Sequence, residues 1–183
     1  MTNDNYFEIF DIQVSFYPDL NLLKKKYYSL SRNFHPDFYT MEPDDVKNEI
    51  LIKSGKLNTS YKILSDESLR MKYILDMYQL LNDADNKSLD QTFLMNMMEI
   101  NEAIFDLELE FKLDEYQKLS TSIDFIDAEL REKVKKDIDD FENKRNVDLA
   151  LLNIKEYYLK SKYLLRIREN ISTFATLKDS EMS

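Results

Sequence analysis

Leu20-Asn21-Leu22-Leu23-Lys24-Lys25-Lys26-Tyr27-Tyr28-Ser29-Leu30-Ser31-Arg32-Asn33-Phe34-His35-Pro36-Asp37 reads as an amphipathic helix that runs into a proline. Leu20, Leu23, Tyr27, Leu30 and Phe34 recur at steps of three and four, the spacing of one helix face. Asp19 stands at the N-cap position, where a carboxylate can accept from the first free N–H groups. Pro36 ends the helix, because its ring crowds the preceding residue out of the α region. The polar face carries Lys24, Lys25, Lys26 and Arg32, and no acid occurs between Leu20 and Phe34. On a chain of net charge -10, one basic helix is a local signal.

Working outward, Tyr6-Phe7-Glu8-Ile9-Phe10 is an apolar run fit for one or two helical turns. A polar loop follows the proline, from His35 to about Asp44. The next helix places Val46, Ile50, Leu57, Tyr61 and Leu64 on one stripe, with Lys53 as an intruder, and ends at Ser65 or Asp66. A fourth helix is expected from about Leu69 to Leu81, with Leu69, Tyr73, Met77 and Leu80 on its inner face. Asn82–Ser88 is polar and aperiodic, so a first module over 1–82, a linker over 83–90 and a second module over 91–183 are expected.

The second module reads as three helices. The first carries Phe93, Met97, Ile100, Ile104 and Leu107. The second carries Tyr116, Leu119, Ile123, Ile126, Leu130, Val134, Ile138 and Phe141. The third carries Val147, Leu151, Ile154, Tyr157, Leu164, Ile167, Ile171 and Phe174. The last two, joined near Asn143–Asn146, should form a long antiparallel hairpin with the first packed against it. The whole chain is therefore expected to be all-α. One glycine and three prolines could not supply the turns of a sandwich or barrel.

Composition also narrows function. A lone glycine, Gly55, cannot build a phosphate-cradling loop. With no cysteine there is no disulfide, thiolate metal site or cysteine nucleophile, and His35 is the only histidine. The acidic balance argues against nucleic acid as a partner. The first residues lack a basic start and an apolar run, and no stretch is long enough to span a bilayer. These features point to a soluble cytoplasmic protein that is not an enzyme and needs no cofactor or metal. A di-iron bundle would require two Glu-x-x-His pairs, which one histidine cannot supply.

Two groups of residues remain to be explained. His35-Pro36-Asp37 presents an imidazole and a carboxylate in a proline-set relation between two helices. The simpler reading of His35 is a capping or solvated loop histidine, and of the lysines a solvated face. In the second module, Leu94, Met95 and Met98 exceed what the inner stripe can use and share a neighbouring face, with Glu99 and Glu102 beside them. They form either an adaptable protein-binding surface or the filling of a wide core.

His-Pro-Asp at a helix junction, with a basic helix before it, resembles a J-domain: an antiparallel helical hairpin with short flanking helices. The resemblance extends to the HscB family, J-proteins of iron–sulfur cluster assembly. Tyr6-Phe7-Glu8-Ile9-Phe10 resembles that family's opening Tyr-Phe-x-x-Phe/Leu, and Leu69-Arg70-Met71-Lys72-Tyr73-Ile74-Leu75 its Leu/Met-Arg-Ala-x-Tyr-Leu-Leu segment. Phe93-Leu94-Met95, with Met98-Glu99 and Glu102, resembles its Phe-Leu-Met-x-x-Leu-Glu-x-x-Glu helix.

The resemblance implies two partners. One is the ATPase domain of HscA or a DnaK-like heat-shock chaperone, met by His35, Pro36, Asp37, Lys24, Lys25, Lys26 and Arg32. The other is an IscU-type iron–sulfur scaffold, met by Leu94, Met95, Met98, Glu99 and Glu102, with Lys162 and Tyr163 matching an Arg-Phe pair of the family. The basic residue that usually follows His-Pro-Asp is Phe38 here, and the zinc module of eukaryotic members has no counterpart, which favours the bacterial form. A J-domain adaptor for another client, or a helical interaction protein without chaperone activity, is the alternative.

Overall fold

The structure, a computed structural model, describes residues 5–82 and 89–181, and side chains as far as residue 172. Of the expected linker over 83–90, residues 83–88 lie outside the described residues, as does the side chain of Phe174. Every regular element among the described residues is helical, and no helix is long and apolar enough to cross a membrane. The chain divides into two compact units, 1–78 and 79–183.

In the first unit, α1 is Tyr6–Ile9, α2 Leu20–Asn33, a 3₁₀ turn Pro36–Tyr39, α3 Asp44–Ser65 and α4 Glu67–Met77. Asp19 caps α2 by accepting from the N–H groups of Asn21 and Leu22 at 2.9 and 3.0 Å. Helices α2 and α3 are antiparallel. Tyr27 stacks on Tyr61 at 4.0 Å between ring centroids, and its hydroxyl lies 3.0 Å from Asn58 Oδ1. Seven residues further on, just past the end of α2, Phe34 meets Lys53 at 5.9 Å. Lys53 is therefore accommodated in its apolar stripe by lying over the Phe34 ring and pairing with Glu49 at 2.6 Å. Leu23, Leu57 and Leu64 are fully or almost fully buried, each contributing about 2 kcal/mol by leaving water. Leu20 is not part of this seam. It is 48% exposed, since the antiparallel register places it past the last residue of α3.

Helix α4 departs from the expected stripe. It ends at Met77, so Leu80 lies outside it, and Leu69 is exposed. The buried side is Arg70, Met71, Ile74 and Leu75. Arg70 decides this orientation. Its Nε donates to the Phe16 carbonyl at 3.0 Å and its Nη1 to the Leu64 carbonyl at 2.6 Å. One cation thus satisfies the end of α3 and the segment before α2 together. Burial pulls its pKa down, opposed by Glu67 and Asp66. Tyr73, on the flank of α4, stacks on Tyr6 at 4.4 Å and accepts a hydrogen bond from the Tyr6 N–H at 2.9 Å, which pins α1.

The second unit is an up-down-up bundle of α5 Gln91–Leu109, α6 Leu113–Glu142 and α7 Val147–Glu181. Phe93, Met97, Ile100, Ile104 and Leu107 pack with Leu119 and Ile123 of α6 and with Leu164, Ile167 and Ile171 of α7. Pairings at both ends show α6 and α7 antiparallel: Asn153 donates to Asp137 at 2.8 Å, and Arg168 bridges Asp124 and Asp127 at 2.7 and 3.3 Å. Lys144 and Asn146 adopt left-handed conformations (φ 55° and 43°) where the chain reverses between them.

Arg70→Leu leaves two buried carbonyls without donors. It should cost about 3 kcal/mol, a fall of about 10 °C or more in the melting of the first unit. Unchanged melting by circular dichroism would show that the guanidinium does not hold these segments together.

Candidate functional site

Two surfaces result, one on each unit. On the first, the residue before Pro36 is forced into an extended conformation, and His35 has φ -74° and ψ 122°. The chain then makes one 3₁₀ turn, tied back to the end of α2 by the Tyr39 hydroxyl donating to the Asn33 carbonyl at 2.9 Å. His35 caps that turn: its Nδ1 accepts from the Asp37 N–H at 3.3 Å and lies 3.5 Å from Asp37 Oδ2. With Nδ1 occupied as an acceptor, Nε2–H is the donor left for a partner. The side chains are 50% and 83% exposed, so both groups are presented to solvent in a fixed mutual geometry. The capping role and the display are the same arrangement.

Lys24, Lys25 and Arg32 are exposed on the side of α2 away from its buried seam. Lys26 is not among them. Its Nζ donates to the Asp11 carbonyl at 2.7 Å and pairs with the Asp11 carboxylate at 3.2 Å, anchoring the segment after α1. Two aromatic residues complete the surface: Tyr28, not singled out from sequence, and Phe38, noted there only as the replacement of a basic residue. Tyr28 is 59% exposed, and Phe38, 71% exposed, meets His35 edge-on at 5.8 Å. Together Tyr28, Ser31, Arg32, His35, Asp37 and Phe38 line one open groove. The signal was available in the sequence: Tyr28 lies between Lys25 and Arg32 at helical spacing.

On the second unit, Leu94, Met95 and Met98 are 37%, 57% and 63% exposed, outside the bundle core. Glu99 and Glu102 are exposed beside them. Tyr163 approaches from α7: half-buried, it packs edge-on against Phe93 at 6.0 Å, and its hydroxyl lies 3.4 Å from Asn101 Nδ2. Lys162 is exposed and has no hydrogen bond or ion pair to another described residue.

The α5 face is set by a clamp that sequence reading missed. Asp90 caps α5 by accepting from the Phe93 N–H at 2.8 Å and pairs with Lys160 of α7. Lys160 also pairs with Glu156 at 2.5 Å and lies 5.4 Å from the Phe93 ring centre. The Lys160 hydrogen bond, with the Phe93 amide second, holds the Asp90 carboxyl below its ordinary pKa. For Lys160, burial works against the charge, but the bonds to Asp90 and Glu156 raise its pKa overall. Asp90 was legible as an N-cap, but its partner 70 residues away was not.

Each unit thus displays a cluster of exposed side chains that its own core does not use. Residues 89–172 match the family model described as the HSCB C-terminal oligomerisation domain. The Co-chaperone protein HscB homolog of Psychromonas ingrahamii is 33% identical over 115 residues, 61% of this chain and 68% of that one. The homolog from Pasteurella multocida is 30% identical over 122 residues, 66% and 71%. The iron-sulfur cluster co-chaperone protein HscB of Mus musculus is 28% identical over 173 residues, 94% and 69%. Among solved structures, human co-chaperone protein HscB superposes with a TM-score of 0.76 at 25% identity, covering 94% of this chain and 83% of that one. HscB from Vibrio cholerae shares the fold, with a TM-score of 0.69 at 20% identity, covering 94% and 99%. The chain belongs to the HscB co-chaperone family.

Two outcomes are expected. Changing Leu94, Met95 and Met98 together to Ala should leave far-ultraviolet circular dichroism unchanged and melting within about 4 °C; a much larger loss would place them in the core. Asp90→Asn keeps an N-cap acceptor but removes the charge facing Lys160, and should cost up to about 1 kcal/mol at neutral pH. Because the folded-state pKa of Asp90 is depressed, its contribution is complete above the unfolded carboxyl value and is lost as pH falls through the folded one. The gap between wild type and variant should therefore close in acid titrations of stability; a gap that is constant with pH would contradict the ion pair.

Proposed function

We propose that this chain uses His35, Pro36 and Asp37 to stimulate ATP hydrolysis by an HscA/DnaK-type heat-shock chaperone, and that α5 delivers an IscU-type iron–sulfur scaffold to it. The observation that carries this reading is the His35–Asp37 pair, the one half-exposed and the other largely exposed, at the end of a basic helix. Lys24, Lys25 and Arg32 would steer the tip toward an acidic face of the ATPase domain. Asp37 can then accept charge-assisted bonds from an arginine there, while Nε2–H of His35 donates. Lys26 supports the contact indirectly, through Asp11.

The adaptor performs no chemistry of its own. It binds one arrangement of the chaperone better than another and shifts the balance by that difference. Leu94, Met95 and Met98 supply an apolar patch that reshapes easily, and Glu99 and Glu102 supply its charge. Tyr163 and Lys162 extend it from α7, with Lys162 making a single-point contact where arginine would make two. Carrying both contacts on one chain raises the scaffold's effective concentration at the chaperone. The cluster is the scaffold's cargo, and the adaptor needs no cofactor. A cytoplasmic setting fits a protein that serves these two partners.

In a steady-state ATPase assay with the purified chaperone, wild type should raise the rate several-fold and His35→Gln should not. Equal stimulation by the variant would refute the role of the tip. Binding of the purified scaffold, measured alongside, separates this reading from an adaptor for another client.

A further inference from the structure

The exposed apolar side of α5 does not stop at Met98. Phe105 and Leu109 lie two and three turns further on the same side of the helix and are 58% and 73% exposed. Neither is needed to fill the bundle, because the inner face of α5 is already complete at Phe93, Met97, Ile100, Ile104 and Leu107, each 6% exposed or less. Met98 and Phe105 form the apolar walls of an open groove whose other lining residues are Asn101, Glu102 and Asp106. Glu102 and Asp106 make no ion pair with another described residue.

We propose that this groove is a second pocket of the scaffold-binding face, taking an apolar side chain that the scaffold presents with Lys or Arg beside it. The inference rests on the scaffold-binding reading and extends it by two turns of α5. Charge selects the occupant. A second copy docked groove to groove about a two-fold axis would bring Glu102 and Asp106 near the same carboxylates, and like charges brought together in an interface oppose association. A basic-flanked apolar segment instead pairs the free carboxylates while it covers Phe105. A large side chain that becomes fully buried at the centre of an interface carries a large share of its affinity, so one truncation at Phe105 should be felt.

The test is calorimetric titration of the full chain with purified IscU-type scaffold at low and high salt. Phe105→Ala should weaken binding about fivefold or more without changing the melting temperature, and Phe105→Lys should weaken it further. Glu102→Gln with Asp106→Asn should weaken binding at low salt and approach wild type at high salt. Wild-type affinity for Phe105→Ala, beside weakened binding by the triple Ala variant of Leu94, Met95 and Met98, would overturn the extension and leave the scaffold reading intact. Absence of scaffold binding by wild type would overturn both. A concentration-dependent dimer that Phe105→Ala dissolves, seen by sedimentation, would assign the groove to self-association and overturn the proposal, as would a loss of melting temperature in Phe105→Ala.

Discussion

A helix cannot pass through Pro36, and the first unit is organised around that constraint. The proline ends α2 after an extended residue, and α3 returns antiparallel to α2. The returning helix is held by the Tyr27–Tyr61 stack and by Leu23, Leu57 and Leu64, which bury the seam. What remains outside the seam is the residue before the proline and the residue after it. The His35 and Asp37 side chains are displayed at the reversal, 50% and 83% exposed. Their relation is fixed because His35 Nδ1 receives the Asp37 amide and Tyr39 ties the turn to Asn33.

The second unit solves a different problem. Its long α6–α7 hairpin forms the base of the bundle, and α5 contributes only one side to the shared core. The outer side of α5 is then available, oriented by the Asp90–Lys160 clamp at one end and by Phe93 against Tyr163. In both units a packed base carries a surface that is not needed to fill the core. That division suits an adaptor, whose affinity would otherwise be spent on ordering its own contact residues.

Much of this was legible from sequence, for identifiable reasons. The helices followed from apolar spacing and from the scarcity of glycine and proline. The tip followed from one tripeptide and its flanks, and the α5 patch from Leu94, Met95 and Met98 exceeding the inner stripe. Spacing failed where a polar group is buried for a tertiary reason. Arg70 turns α4 away from its apparent stripe because the carbonyls of Leu64, one helix back, and of Phe16, 54 residues away, take its donors. Lys26 reads as part of a basic face and instead serves Asp11. Lys160 carried no local sign of its partner. Phe105 and Leu109 are a different kind of miss, since they repeat the spacing of Leu94 and Met98 and could have been counted as surplus.

The central claim is that the chain meets two proteins through two separate surfaces. Nuclear magnetic resonance of isotope-labelled protein, titrated in turn with the chaperone ATPase domain and with the scaffold, tests it most directly. The ATPase domain should perturb amides of α2 and residues 35–39 while leaving α5 unchanged, and the scaffold should perturb residues 94–109 while leaving the tip unchanged. One shared set of perturbed amides, or a silent tip in the presence of the ATPase domain, would contradict the account.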